Sequence, residues 1–253
     1  MLIADVPRPT WSLGSGLSMT PSSESAATIA AGETQALASL GESRWPPVIA
    51  LLAYMVLNIA VRIWLPHDSP VRVSWLLPAI EAALVVLLVA GNPARLAKRA
   101  HRVRVVAVTI VVVLVLAALW STALLVYDLI KGIGVTQNAT ELLASGGLVW
   151  LGNNLAFGLL YWLIDSGGPI ARQHNPAPVD FAFVQQMSPE LAPPGWRPVF
   201  LDYLHLGFTN ATAFSPTDVM PLTLRAKYAM IVQSTVALAL FGLIVARSVN
   251  AFT

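Results

Sequence analysis

Five apolar runs, at about 47–65, 75–91, 105–127, 142–164 and 226–249, are separated by short polar or proline-rich connections. A hydrocarbon core of about 30 Å requires roughly 17–25 apolar residues in a helix, so each run predicts a transmembrane span. A sixth run, about 199–214, has apolar and polar positions interleaved at helical spacing. At about 1.5 Å per residue it reaches only roughly 22 Å, too short to cross. A half-length helix followed by a polar turn and a full span is the pattern of a re-entrant loop, whose irregular backbone survives at membrane depth only where protein or water surrounds it. The pattern predicts an all-α, polytopic membrane protein: five transmembrane helices plus one re-entrant half-helix before the last span.

The connections refine this picture. Residues 1–44 are rich in Ser, Thr, Ala and Gly, lack apolar periodicity and read as a disordered tail. The start is not a cleavable signal, because an acid and a proline, Asp5 and Pro7, break its apolar stretch after four residues. The membrane domain then occupies 45–253, opening with Pro46 and Pro47, where missing N–H groups are harmless. Arg95, Lys98, Arg99, Arg102 and Arg104 crowd the loop between the second and third spans, which the positive-inside bias places in the cytoplasm. The loop from Asp128 to Glu141 is then outside, the proline-interrupted connection 165–198 inside, and the carboxyl end outside. Phe181-Ala-Phe-Val and Trp196 offer that connection a place to rest on the membrane interface. The fourth span carries Gly146, Gly147, Gly152 and Gly158, small residues that let helix backbones approach closely, and reads as a packing helix.

Composition agrees with the spans: 56% of residues are hydrophobic and 11% charged, and the mean hydropathy is +0.69, outside the balance of a soluble domain. The net charge of +2 comes largely from the one basic loop, which argues against nucleic acid as a partner and leaves membrane lipid. No cysteine is present, which excludes disulfides, a thiolate nucleophile and zinc–thiolate sites. His67, His101, His174 and His205 are scattered without an i, i+4 pair or an acid cluster, so no metal site, catalytic set or cofactor is expected, and the chain does not read as an enzyme.

Among candidate functional residues, Glu81 is the one carboxylate well inside a span, and Arg62 lies at comparable depth across the first hairpin, an intramembrane charge pair whose plainer role is mutual neutralisation with snorkelling. Asn153 and Asn154 either line a polar path or hydrogen-bond between helices, the commoner use of such amides. Gln233, Ser234 and Thr235 form a polar belt that faces either a cavity in an oligomer or the fourth helix. His205 is a cavity candidate able to titrate near neutral pH, or a packed histidine.

The stretch from Asp202 to Arg225 resembles, without a gap, the pore helix and filter of potassium channels. Thr212 falls on a threonine of the pore helix, Asp218 on the acid after the filter, and Pro221 and Thr223 on the proline and threonine beyond it. Leu206-Gly-Phe-Thr and Thr212-Ala-Phe-Ser-Pro-Thr-Asp-Val219 are also similar to the tail of a bacterial membrane-protein family defined only as a domain of unknown function, and that resemblance covers the span arrangement from about residue 47. It implies a multi-pass protein of the bacterial plasma membrane. Where channels carry Val-Gly-Tyr-Gly, this chain has Phe214, Ser215, Pro216 and Thr217. Aligning carbonyls down one axis needs backbone conformations that glycine adopts freely and that cost other residues on the order of 1–3 kcal/mol each. Pro216 further fixes its own φ and biases Ser215 toward extended backbone. A potassium-selective filter is excluded. The resemblance leaves a pore-loop-like protein, an ion or small-solute pathway in a homo-oligomer, or else a non-conducting scaffold. The first predicts that Thr212, Ser215, Thr217, Asp218 and Gln233 converge on a wet cavity; the second, that they are buried in a dry contact.

Overall fold

The computed structural model describes residues 45–64, 100–132, 139–174, 178–212 and 218–251, with isolated helical positions between 79 and 86. The tail 1–44, most of the second expected span and residues 92–99 of the basic loop lie outside the described residues, while 100–104 of that loop are helical.

Helix α1 (Trp45–Trp64) starts on the Pro46-Pro47 pair. Helix α2 (Ala100–Lys131) is longer than its apolar run at both ends. It ends at Gly132, whose φ of 67° supplies the left-handed C-cap that a side chain would resist. The sequence reading ends this helix at 127 and puts Asp128 in a loop, whereas Asp128 lies in the last helical turn and is fully buried. Helix α3 (Ala139–Ile164) and the last helix, α7 (Leu224–Ala251), match their apolar runs to within three residues. Among the described residues three helical stretches, Val105–Lys131, Thr140–Gly167 and Leu224–Ala246, are long and apolar enough to cross a membrane, and Trp45–Ala60 is a shorter apolar helix.

Helix α3 is the hub: 67% of its apolar stretch is buried, against 33% in α2 and 28% in α7. Its glycines explain how it meets several partners at close range. A Cβ at Gly146 would collide with Ile244 of α7; at Gly152 it would come within 3.2 Å of the Tyr54 ring of α1. Gly147 faces nothing within 4 Å.

Beyond α3 the chain turns sharply through a 3-10 segment, Asp165–Gly167, where Ser166 takes φ 49° and Gly167 and Gly168 take 83° and 92°. Short helix α4 (Pro169–His174) follows, then strand β1 (Phe181–Phe183), one-turn helix α5 (Val184–Met187) and a 3-10 turn at Pro189–Leu191. Helix α6 (Phe200–Thr212) starts after Pro198, and Asp202 in its first turn accepts a 2.7 Å bond from the Val199 N–H, half of a capping box. Strand β2 (Val219–Pro221) precedes α7.

The two strands pair antiparallel with Phe181 opposite Pro221 and Phe183 opposite Val219. Bonds from Val184 N to Asp218 O and from Leu222 N to Asp180 O extend the ladder at both ends. The helical class therefore stands with one small ladder of three-residue strands added. The ladder also corrects the expectation that Phe181 and Phe183 rest on the membrane interface. Both are buried, and Trp196 lies half-buried with its ring 5.8 Å from Phe183. Tyr203 of α6 packs edge-on against Phe183 at 5.4 Å, and Phe181 meets Tyr161 of α3 at 5.2 Å. Burying a ring such as Phe181 stabilises by about 1.5–3 kcal/mol, more than an exposed position would return.

Candidate functional site

Helix α6 lies against α3 and α7, and Gly158 sets the approach: a Cβ there would meet the Leu204 Cα at 3.3 Å. The first turn of α6 is level with the end of α3, where Phe200 packs edge-on to Trp162 at 5.9 Å. Its last turn is level with the second turn of α7, where Asn210 Nδ2 donates to Met230 O at 3.0 Å.

The inner face of α6 is held by amide hydrogen bonds. Gln233 of α7 is 2% exposed. Its Oε1 accepts from the Tyr161 hydroxyl at 2.6 Å and from Asn210 Nδ2 at 2.9 Å, while its Nε2 donates to Gly207 O at 2.9 Å and Asn154 Oδ1 at 3.4 Å. Ser234 Oγ donates to Asn210 Oδ1 at 3.0 Å. Every polar atom of the Gln233 amide is thus matched within the chain, which is what makes a buried amide tolerable. Of the expected residues, Gln233 and Asn154 come together here. Asn153 does not join them: its Nδ2 donates to Thr122 Oγ1 of α2 at 2.8 Å, and its Oδ1 is buried without a hydrogen-bond partner among the described residues.

A second cluster fastens the α6 unit to the ends of α3 and α7. Asp165 and Asp180 are both fully buried. Asp165 Oδ1 accepts from the backbone N–H groups of Asp180 at 2.8 Å and Phe181 at 3.2 Å, and its Oδ2 accepts from the Tyr203 hydroxyl at 2.5 Å. Asp180 receives Arg225 through two parallel bonds, Nε to Oδ1 at 2.6 Å and Nη2 to Oδ2 at 2.5 Å. The Thr223 hydroxyl and the Ser166 N–H complete its shell at 2.5 and 3.2 Å. Burial alone would raise the Asp180 carboxyl, but the Arg225, Thr223 and Ser166 donors outweigh it and hold it below the usual carboxylate range. Arg172 Nη1 donates to Trp162 O at 2.8 Å and Asp165 O at 2.9 Å, and its guanidinium lies 5.1 Å from the Tyr203 ring centroid.

The outer face of α6 is different. Leu201, His205, Phe208 and Thr212, spaced by four, three and four, are all exposed. Thr212 Oγ1 donates to Phe208 O at 2.9 Å. His205 Nε2 lies 3.3 Å from Asp218 Oδ2, with side chains 59% and 44% exposed. Phe214, Ser215, Pro216 and Thr217, and the side chains of Arg62 and Glu81, lie outside the described residues. Among the described residues no group of three or more acids and histidines could hold a metal ion.

Asp165, Asp180, Tyr161, Tyr203, Asn210 and Arg225 were not among the expected site residues. The usable signal was an acid directly after one span and an arginine at the first turn of another, two positions where an unpaired charge would otherwise sit beside lipid. Comparison with protein-family models, curated proteins and solved structures finds no match to this chain.

Proposed function

We propose that the chain is a five-span protein of the bacterial plasma membrane in which α6 is a re-entrant half-helix. Its outer face would line a weakly selective aqueous pathway for ions or small solutes where copies of the chain meet. The observation that carries this reading is the pairing of β1 with β2. These strands flank α6, which supports a segment whose two ends share one side of the membrane, and Asn210 near the α6 C-terminus bonds Met230 in the second turn of α7. A chain that enters part-way and returns is a re-entrant loop. Gln233 is buried within the chain rather than in the wet cavity that the pathway reading expected of it, and its network fits an anchor for α6 behind the pathway. The His205–Asp218 pair supports a wet outer face, since ionisable groups turned toward lipid are costly and those at membrane depth face water or protein. The similarity of residues 202–225 to channel pore loops agrees with this architecture, and the absence of the filter glycines argues for weak selectivity rather than potassium selectivity.

The native absence of cysteine makes the test direct. In reconstituted vesicles, Thr212→Cys is expected to react with a charged, membrane-impermeant thiol reagent, and the modification to abolish small-ion flux, while Gln233→Cys stays unreactive. A Thr212→Cys variant inert in the bilayer, with flux no greater than that of empty vesicles, would replace the pathway by a non-conducting scaffold in which the Gln233 network only packs the loop.

A further inference from the structure

From Val219 to Leu224 the chain alternates with a period of two. Val219 is buried, and the Thr223 hydroxyl turns in to Asp180. Met220, Leu222 and Leu224 point outward, exposed by 55%, 51% and 70%. Strand side chains alternate between faces, and an antiparallel ladder that faces water carries polar residues on its outer positions. Here all three outward residues are apolar, so the outer face is not built for water.

The stripe leads directly into the apolar stretch of α7, which begins at Leu224. One turn in, Lys227 and Tyr228 are exposed. A tyrosine beside a lysine at the end of an apolar helix is the usual anchor at the boundary between acyl chains and headgroups, with the amine reaching to the polar side. Met220, Leu222 and Leu224 precede that pair along the chain. We infer that the Met220–Leu222–Leu224 stripe is a membrane-embedded lip: it lies in the headgroup–acyl boundary and makes β2 an interfacial element rather than a solvent-facing strand. Through the Thr223 and Arg225 bonds to Asp180, this lip would hold the mouth of the α6 segment at a fixed depth. The inference rests on the membrane reading of α7 and is independent of whether α6 lines a pathway.

A polarity-sensitive fluorophore attached at Leu222→Cys tests it in phospholipid vesicles. The side chain is exposed, so the substitution leaves packing intact. A shallow, lipid-attached nitroxide is expected to remove most of the emission, while aqueous iodide removes little. Strong quenching by iodide with none from the lipid nitroxide would place β2 in water and overturn the inference. Protection from both quenchers would overturn it as well, by showing that protein covers the stripe.

Discussion

Asp180 and Arg225 form one contact, yet their removal should not be equivalent. The Arg225 side chain is 53% exposed and that of Asp180 is fully buried. Arg225→Ala strands a buried carboxylate, and breaking a buried pair in this way costs about 3–5 kcal/mol. Asp180→Asn leaves an arginine that water can reach and keeps an acceptor for Thr223, so it should cost less, about 1–3 kcal/mol. Thermal unfolding of the purified protein in detergent should rank Arg225→Ala below Asp180→Asn; the opposite order would mean that the guanidinium carries the buried cost. The pH dependence follows from the same bonds. Because the folded-state pKa of Asp180 is depressed, its contribution is fully present above the unfolded value of about 3.9 and is lost as pH falls through the folded value. The unfolding midpoint of the native protein should therefore drop below about pH 4, and Asp180→Asn should flatten that drop.

Helix α3 separates glycines that matter from those that do not. Gly158 faces the Leu204 Cα, a backbone atom that cannot turn aside, so Gly158→Val must push α6 away from α3 at a cost of about 1–3 kcal/mol. Gly147→Ala and Gly242→Ala meet nothing within 4 Å and should leave the midpoint unchanged or slightly raised. A Gly158→Val midpoint equal to that of the native protein would remove the close contact between α3 and α6. The role of α3 as a packing helix was legible because glycine density needs no tertiary information, and the long helices were legible because apolar length alone specifies them. The division of labour among the glycines was not legible, since it depends on which neighbour arrives at each. The Asp165–Asp180–Arg225 cluster was hidden for another reason. Each member sits in polar sequence at a span end, where a solvated charge is ordinary, and only the Ser166 turn and the short ladder bring them together. Helical spacing did not give the exposed face of α6, because Leu201 and Phe208 on it are apolar and the inward Asn210 is polar, and the inner positions of Gln233 and Asn154 required knowing that Tyr161 and Asn210 offer partners.

At the scale of the whole molecule, the ladder and the spans together set a sidedness that can be measured. If α6 enters and returns, Glu190 and Arg197 before it share a membrane side with Lys227 after it, and Thr253, beyond α7, lies on the other side. By the positive-inside expectation, the arginines and lysines of the basic loop 92–104 would put that shared side in the cytoplasm. Single cysteines at positions 190, 197 and 227 should then be protected in intact cells and labelled only after the membrane is opened, whereas Thr253→Cys should react from outside. Labelling of positions 190 and 227 from opposite sides would mean that the α6 segment crosses the bilayer, and the re-entrant architecture would fall. Labelling of all three from outside, with Thr253→Cys protected, would keep that architecture and invert it. The loop would then open outward, and the entrance to the proposed pathway would lie on the external face.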